Sequence, residues 1–575
     1  MKKVKFGDKE FTPSIYQEKI FENIEHGTTN MVINAVAGSG KSTTIVNALS
    51  LIPADKKILF IAFNKDIVEA LRGKIGEMSN VDIMTYHSLG YSIVRENLKK
   101  NNLELNEYKY YQYIRTNAER GEMSGTQYFT YIKNVTKLVD YARFNLAQSA
   151  AEIEKIAQKY NVVLVGDECA FSADVLKWGQ TALDEVDYTD MVWLPYELDL
   201  KTRKHKYEWI FVDEAQDSSP VQQQLFKKCF KRGARFCAVG DSSQCINAWA
   251  GADEKAFNKF LKIPNTKEFS LPISYRCPIS VINKAQKFVP YIESAPNAVM
   301  GEIKYDVSPY SPKNGDMVLC RNTYPLVKLY VDYLRINKKS FIRGKDIGDS
   351  LIELIDNNSS ANGLLNKSMM SDGLFRNLYN HLFKTADLMI ENNNMTESEA
   401  YLSEPVMAIY DSIMSLETLS EGLVTTEDLK NKIKVIFKEG KDEGVCLSTI
   451  HKAKGLESDN IFILAKSLMP SRYARQEWEI KSEENLEYVA ITRAKKTLQY
   501  ISELDFRVDR GWEFEKNLLS KFKTVRELLG TKPSEWKRNS VTISVRNSND
   551  EDNKQFQNAS GKTIGALKFY KFIRK

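Results

Sequence analysis

The stretch Ala35-Val-Ala-Gly-Ser-Gly-Lys-Ser42 restricts the fold of this chain more than any other. It separates a short apolar segment, residues 31–34, from an amphipathic segment, residues 43–51. A strand, a glycine-rich turn and a helix N-terminus in this order direct backbone N–H groups towards one point, where the helix dipole also favours negative charge. Lys41 is expected to reach the outer phosphates of a nucleotide, and Ser42 to hold Mg²⁺. The usual pattern has Gly where Ala35 stands, so an ordinary strand-to-helix turn is the alternative.

The size and composition of the chain are typical of a globular protein with several domains. Its 575 residues predict roughly three or four domains. It is 43% hydrophobic and 27% charged, and no apolar run approaches the roughly 20 residues that cross a bilayer. The N-terminus does not read as a secretion signal. The seven cysteines form no Cys-x-x-Cys pair, so we expect neither a zinc site nor disulfides, and we expect the cytoplasm of a bacterial or phage-infected cell.

The positive charge of the chain is concentrated at its C-terminal end. Residues 521–575 contain 13 Lys and Arg but only five Asp and Glu, although the whole chain carries a formal net charge of just +6. A basic tail on a nearly neutral body predicts contact with a polyanion, or with a protein partner. A solvated, partly disordered tail is the equal alternative.

Apolar runs of strand length alternate with helical patterns in the N-terminal part of the chain. Residues 57–63 and 81–85 read as strands, and a helix follows each of them. This alternation predicts a parallel sheet that holds ligands at the carboxyl ends of its strands. Asn64, Thr85 and His87 lie at such ends and are expected to contact a ligand, although Thr85 also suits a helix cap.

A second chemical signal is Trp209-Ile-Phe-Val-Asp-Glu-Ala-Gln-Asp217. Here an apolar strand ends in two adjacent carboxylates, which point in opposite directions if both residues stay extended. Asp213 is the expected ligand of Mg²⁺, and Glu214 the expected general base for an attacking water.

Five further positions carry side chains suited to the same chemistry. Gln244 follows an apolar strand and is expected to bond the γ-phosphate, while the ring of Trp249 suits stacking on a base. Tyr275 is expected to stack on adenine, and Arg276 to act as an arginine finger. Arg493 supplies a second positive charge for the phosphates.

Two long segments have helical patterns without a clear chemical motif. Residues 91–180 are rich in Tyr, and residues 346–440 contain Asn-rich turns. In the densest aromatic patch, residues 108–115, the helical spacing favours packing in a core over stacking on nucleotides. Both segments are interpreted as insertions between sheet strands.

Eight motifs follow one another along the chain: AGSGKS, IAFNK, TYHSLG, FVDEAQD, VGDSSQ–INAWAGA, LPISYRC, STIHKAKGLE and YVAITRAKK. Together they resemble the superfamily 1 DNA helicases of the UvrD/Rep kind, and their wording is similar to the F-box DNA helicase branch, although no F-box is present. The resemblance covers about residues 17–498. It implies an α/β fold of two RecA-like P-loop domains with parallel sheets, each carrying a mainly helical insertion. The implied parts are a first RecA-like domain (1–90 and 181–270) with its insertion (91–180), a second RecA-like domain (271–345 and 441–520) with its insertion (346–440), and a basic tail (521–575).

The resemblance also implies a role for each candidate residue. ATP would be bound by Gln17, Ala37, Gly38, Ser39, Gly40, Lys41, Ser42, Thr43, Tyr275 and Glu457. Mg²⁺ would be held by Ser42 and Asp213. Catalysis would involve Lys41, Glu214, Gln244, Arg276 and Arg493. The DNA strand would be contacted by Phe63, Asn64, Thr85, His87, Trp249, Thr449 and His451.

The function implied by the resemblance is an ATP-dependent helicase that moves along single-stranded DNA, from 3′ to 5′, and unwinds single-strand-tailed duplexes. Three positions depart from the common pattern: Thr43 and Ala250 stand where Arg often occurs, and Asn247 stands where Tyr is common. These departures leave open a translocase that displaces proteins without unwinding DNA. A further alternative is a module that recruits partners and is switched by ATP.

Overall fold

The computed structural model divides the chain into two compact units. The first contains Met1–Val307, Ala453–Ile463 and Leu468–Tyr500, and the second contains Ser308–Lys452, Leu464–Ser467 and Ile501–Lys575. The structure describes residues 4–6, 9–63, 65–75, 78–99, 103–123, 125–247, 255–360, 363–365, 373–393, 395–438, 443–503, 511–530, 556–557 and 563–564. Within these residues, every helix is too short or too polar to span a bilayer.

The elements up to Val307 all belong to the first unit. In chain order they are β1 (Val4–Phe6), β2 (Lys9–Phe11), α1 (Ile15–His26), β3 (Asn30–Ala35), α2 (Lys41–Ser50), β4 (Ile58–Ala62), α3 (Lys65–Ile75), β5 (Val81–Thr85), α4 (Tyr86–Leu98), β6 (Glu104–Leu105), α5 (Lys109–Asn117), α6 (Gly125–Asn145), α7 (Ala150–Lys159), α8 (Glu168–Thr181), β7 (Glu185–Val186), α9 (Tyr188–Glu197), β8 (Tyr207–Val212), α10 (Pro220–Lys227), β9 (Phe230–Gly240), α11 (Ala256–Leu261), β10 (Thr266–Leu271), β11 (Ile273–Ser274), α12 (Ile279–Ala285), β12 (Glu293–Ser294) and β13 (Glu302–Val307).

The remaining elements complete both units. Those between Ser308 and Lys452 are β14 (Met317–Cys320), α13 (Thr323–Arg335), β15 (Ser340–Arg343), α14 (Lys345–Asn358), α15 (Leu374–Asn393), α16 (Glu397–Tyr401), α17 (Glu404–Leu419), α18 (Thr426–Ile436), β16 (Phe437–Lys438) and β17 (Val445–Thr449). The last are β18 (Ser458–Ile463), α19 (Glu477–Ile491), β19 (Ala494–Ile501), α20 (Gly511–Gly530), β20 (Phe556–Gln557) and β21 (Thr563–Ile564).

A six-stranded sheet forms the centre of the first unit, with the strand order β10-β3-β9-β8-β4-β5 and every neighbouring pair parallel. The apolar runs form its strands because both faces of the sheet are covered. Leu59 and Ile61 of β4 point into one hydrophobic cluster, whereas Ile58 and Phe60 point into another. Continuous apolar strands are typical of parallel sheets buried on both sides, so the predicted α/β fold class is confirmed.

The helices α5 to α8 lie between the sheet strands β5 and β8 in sequence, and their Tyr-rich patch packs as the spacing predicted. Tyr110 and Ile114 are buried. Tyr113 stacks on Trp178, with a distance of 3.8 Å between the ring centroids. Tyr108, at the edge of the patch, is 65% exposed.

The second unit contains a parallel set of strands in the order β14-β17-β15-β16. The helices α14 to α18 precede β16 and β17 in sequence, and they cover much of the segment predicted to be a helical insertion. The compact units group the residues differently from the predicted domains, whose boundaries stay a prediction.

Gly90 marks a close approach of two helices in the first unit. A Cβ on this residue of α4 would lie 2.0 Å from the carbonyl oxygen of Met191 in α9, whereas a Cβ on Gly73 of α3 would meet no atom within 4 Å. We predict that Gly90→Ala lowers the free energy of unfolding by about 1–3 kcal/mol, because the helices must separate. Gly73→Ala, the control, is expected to raise it by up to about 1 kcal/mol. Urea unfolding followed by tryptophan fluorescence measures both, and equal midpoints would contradict the packing.

Candidate nucleotide and DNA sites

The glycine-rich turn connects β3 to α2 and has the shape of an anion-binding loop. Gly38 and Gly40 adopt φ values of +73° and +75°, which only glycine takes readily. Gly40 caps α2, so the helix begins at Lys41, two residues earlier than predicted. The buried Ser39 hydroxyl has no hydrogen-bond partner among the described residues. An unpaired buried hydroxyl beside a helix N-terminus suits a phosphate oxygen.

Tyr275 and Arg276 lie directly against this loop. The backbone N–H of Tyr275 donates to the carbonyl oxygen of Gly38 at 2.8 Å. A Cβ on Gly38 would lie 2.4 Å from the Cβ of Arg276. Tyr275 is 51% exposed, so its ring is accessible, and its stacking on adenine stays a prediction.

Lys41 contacts both carboxylates that follow β8. Its Nζ bonds Glu214 Oε1 and lies 3.3 Å from Asp213 Oδ1. The condition under which the two carboxylates would point in opposite directions is not met, because Glu214 leaves the strand in the left-handed conformation, at φ 49°. This turn brings both acids to one ammonium group.

The charges around Lys41 set the protonation state of the expected general base. Burial would raise the pKa of Glu214, but the positive charges of Lys41 and Lys454 outweigh it and hold that pKa at about 2. Burial also opposes the charge of Lys41, whose pKa is nevertheless raised by Asp213 and Glu214. Glu214 is therefore ionised and weakly basic as long as Lys41 stays beside it.

A circuit of hydrogen bonds runs from Glu214 back to the glycine-rich loop. Gln216 donates to Glu214 Oε2 at 2.6 Å and accepts the Asp241 backbone N–H at 3.1 Å. The Tyr488 hydroxyl donates to Asp241 at 3.2 Å and accepts the Ala37 backbone N–H at 3.1 Å. Sequence reasoning assigned no role to Gln216, Asp241 or Tyr488, although all three lie inside the quoted motifs.

Arg493 is a buried cation whose hydrogen bonds go to neutral oxygens. It donates to Gln244 Oε1 at 3.2 Å and to the carbonyl oxygens of Val489 and Leu456. Burial, together with the nearby charge of Arg276, lowers its pKa to about 10. A buried guanidinium group without a carboxylate partner is costly, so this position favours an anionic ligand.

Gln244 and Glu457 connect the remaining charged groups. The side-chain Nε2 of Gln244 donates to Asp241 at 2.8 Å, and the backbone carbonyl oxygen of Gln244 accepts from Lys454 at 2.7 Å. Lys454 also pairs with Asp217, a contact that sequence reasoning missed. Glu457 lies 2.7 Å from Arg276 Nε. Glu457 is thus paired with an arginine, while its expected contact with ATP stays a prediction.

Gln17 lies next to the glycine-rich loop, where an adenine edge is expected. Its Oε1 accepts the Ser14 backbone N–H at 2.9 Å, and its Nε2 donates to Thr44 Oγ1 at 2.8 Å. Thr43, which directly precedes Thr44, is partly buried in the first turn of α2.

Ser42 and Asp213 provide oxygens of the kind that Mg²⁺ prefers. Ser42 lies in the first turn of α2, and Asp213 lies at the end of β8, 3.3 Å from Lys41. The donor types fit the ion, so these two residues would hold it.

Aromatic side chains gather where β4 and β5 end. Phe63 follows β4 and is 44% exposed. Thr85 caps α4 by accepting the Ser88 backbone N–H at 3.2 Å, so the alternative role as a helix cap is confirmed. His87 meets the ring of Tyr188 edge-on at 6.3 Å. Tyr188 is 47% exposed, and no sequence signal other than its aromatic character marked it.

Other predicted DNA contacts lie elsewhere. Asn64 and Trp249 lie outside the described residues, as does most of the tail after residue 530. In the second unit, Thr449 is buried and its hydroxyl accepts the Lys452 backbone N–H at 3.4 Å. His451 is partly buried two residues further on.

Comparison with known proteins finds similar helicases. Residues 16–264 match the UvrD/REP helicase N-terminal domain. The ATP-dependent DNA helicase Rep of Buchnera aphidicola is 22% identical over an alignment that covers 81% of this chain and 91% of that protein. The chain is therefore similar to the UvrD/Rep helicases, and Rep itself is an ATP-dependent DNA helicase.

Two other relatives of this chain have similar identity. The ATP-dependent DNA helicase PcrA of Staphylococcus aureus is 23% identical, over 89% of this chain and 86% of that protein. The F-box DNA helicase protein 1 of Schizosaccharomyces pombe is 24% identical, over 81% of this chain and 55% of that protein.

The glycine-rich loop can be tested through Gly38. We predict that Gly38→Ala abolishes the binding of a fluorescent ATP analogue, because the new Cβ would displace Arg276 and the residue must keep a positive φ. Gly121→Ala is the matched control, since Gly121 also has a positive φ (+49°) but a Cβ there would meet no atom within 4 Å. Unchanged affinity in Gly38→Ala, measured by fluorescence titration, would show that the loop does not hold the nucleotide.

Proposed function

We propose that this chain is an ATP-dependent helicase that moves along single-stranded DNA in the 3′ to 5′ direction and unwinds tailed duplexes. The observation that carries the proposal is the convergence of Lys41, Glu214 and Arg493 on one hydrogen-bonded circuit around the glycine-rich loop. This arrangement supplies a phosphate cradle, a general base and a buried positive charge, which together suit phosphoryl transfer to water.

Hydrolysis begins with the release of the general base from its ion pair. Phosphate oxygens compete with Glu214 for the ammonium group of Lys41. When Lys41 turns towards them, the pKa of Glu214 rises from about 2, since the nearest opposing charge has gone and burial remains. Glu214 Oε1 then accepts a proton from the attacking water.

Charge that develops on the phosphates is balanced by the two arginines. Among the residues that the structure describes, Arg493 is buried and donates its hydrogen bonds to neutral oxygens, and Arg276 lies beside the glycine-rich loop. Bound Mg²⁺, held by Ser42 and Asp213, would supply additional positive charge to the phosphates. Ordered donors that require no rearrangement stabilise the transition state efficiently.

Coupling to DNA is proposed to run through Gln244 and the strand ends. Gln244 bonds Arg493 on one side and Asp241 and Lys454 on the other. Loss of the γ-phosphate would therefore change the hydrogen bonds of Gln244 and shift the segment that leads towards Trp249. Phe63, His87 and Tyr188 present exposed or partly exposed rings at the ends of β4 and β5. Aromatic rings of this kind suit stacking on unpaired bases.

We predict that Glu214→Gln reduces the rate of DNA-stimulated ATP hydrolysis by about 10²–10⁴-fold, because the amide cannot accept the proton. Lys41→Ala is expected to abolish hydrolysis by weakening phosphate binding. Phosphate release measured with and without oligo-dT gives both rates, and Lys56→Ala, at an exposed lysine outside the site, is the control. Normal hydrolysis in either site variant would contradict the assignment. Negligible hydrolysis by the unmodified protein with saturating single strands would favour the ATP-switched recruiting module.

The direction of movement is tested with tailed duplexes. We predict that ATP supports unwinding of a duplex with a 3′ single-stranded tail but not of one with a 5′ tail, measured by strand separation. The Glu214→Gln variant is the control for dependence on hydrolysis. Unwinding from the 5′ tail alone would overturn the proposed polarity.

A second candidate is a translocase that displaces proteins without unwinding, favoured by Thr43, Asn247 and Ala250 at positions where larger side chains are common. Displacement of streptavidin from a biotinylated single strand, with no strand separation in parallel, would select it. We further propose a cytoplasmic setting, where ATP and DNA are both available, and a protein partner for the basic tail.

A further inference from the structure

A cluster of buried charges lies at the start of α9, away from the glycine-rich loop. Its members are Lys109, Arg143, Asp187 and Asp190, and the side chains of Lys109, Arg143 and Asp190 are at most 1% exposed. The nucleotide chemistry uses none of them. Charges are seldom buried unless their geometry is closely specified.

Arg143 connects α6 to the first turn of α9. Its two terminal nitrogens bond the two carboxylate oxygens of Asp187, each at 2.8 Å. One of them also bonds Asp190 Oδ1 at 2.9 Å. Asp187 in turn caps α9 by accepting the Asp190 backbone N–H at 2.6 Å. A guanidinium group held by two parallel bonds fixes the orientation of its partner as well as its distance.

Lys109 and the neighbouring Tyr110 also bond Asp190. Lys109 Nζ and the Tyr110 hydroxyl each lie 2.6 Å from the carboxylate of Asp190. The guanidinium carbon of Arg143 lies 3.8 Å from the centroid of the Tyr110 ring. The bonds to Asp187 and Asp190 therefore all restrain the same helix start, while Arg143 also bonds Asp140 of its own helix at 2.6 Å.

The residue placed by this helix start is Tyr188. It follows Asp187 directly, is the first residue of α9 and is 47% exposed. Its ring stands perpendicular to that of His87, at an interplanar angle of 89°. His87 belongs to α4, which begins at the carboxyl end of β5. The two rings thus come from separate helices and depend on the relative placement of those helices.

We propose that Arg143 is a positioning residue that fixes Tyr188 against His87, so that the two rings form a preformed platform for an unpaired base of single-stranded DNA. This inference rests on the proposed function, because it gives the DNA-binding face one of its parts. Arg143 touches neither DNA nor nucleotide. It acts through its two parallel hydrogen bonds to Asp187, the residue that caps α9.

The test is a double-mutant cycle on the affinity for fluorescent oligo-dT. Tyr188→Ala is expected to weaken binding by about 5- to 100-fold, the range for loss of one stacked base. Arg143→Lys keeps the positive charge but cannot form both hydrogen bonds to Asp187, and it is expected to weaken the binding of oligo-dT by about 3- to 10-fold. In the Tyr188→Ala background, Arg143→Lys is expected to have no further effect, because the ring it positions is gone.

A second variant tests the same ion pair independently, in case Arg143→Lys fails to fold. Asp187→Asn keeps a side chain that caps helices well but removes the ion pair, so it is expected to weaken DNA binding as Arg143→Lys does. Because a buried ion pair is broken, the unfolding midpoint is expected to fall, and both variants are compared at a temperature at which each is fully folded. Affinity for a fluorescent ATP analogue is expected to be normal in all these variants.

The outcomes separate the two proposals. An equal effect of Arg143→Lys with and without Tyr188 would overturn the positioning role, as would normal DNA affinity in Tyr188→Ala. Both of these results would leave the proposed function standing. Absence of DNA binding by the unmodified protein would overturn the proposed function itself.

Discussion

The contact of Lys41 with both Asp213 and Glu214 is the interaction on which the rest of the nucleotide site depends. It requires the ends of β3 and β8 to face one point, although β9 lies between them in the sheet. Parallel strands meet this requirement, because all their carboxyl ends share one edge. The left-handed turn at Glu214 completes it by swinging the second carboxylate back towards the loop.

The hydrogen bonds around this contact make the site one unit rather than a set of separate groups. A shift of Lys41 alters Glu214, which bonds Gln216, which in turn bonds the segment that carries Asp241 and Gln244. The Tyr488 hydroxyl connects Asp241 to the backbone N–H of Ala37 and so leads back to the glycine-rich loop. Substitutions at these positions are therefore expected to have effects that do not add. In the proposed mechanism, the same site binds the phosphates and sets the basicity of Glu214, which accepts a proton from the attacking water.

The sequence predicted those parts of the structure that depend on local pattern. The strands of the first sheet were recognisable because burial on both faces demands continuous apolar runs, as in β4. Lys41, Arg276 and Gln17 lie beside the loop where their motifs indicated. The direction of Glu214 was missed, because one residue with positive φ reverses what an extended strand implies. The pairing of Arg143 with Asp187 joins residues 44 positions apart, and spacing alone cannot reveal such contacts.

The burial of Arg493 among neutral oxygens has a practical consequence for work in solution. A fixed positive charge of this kind attracts any small anion that can reach it, not only a nucleotide. Sulfate and inorganic phosphate carry the oxygen geometry that guanidinium groups recognise. If Arg493 contacts the phosphates of ATP as proposed, buffers that contain these ions will compete with ATP, and affinities determined in chloride and in phosphate will differ for reasons unrelated to DNA.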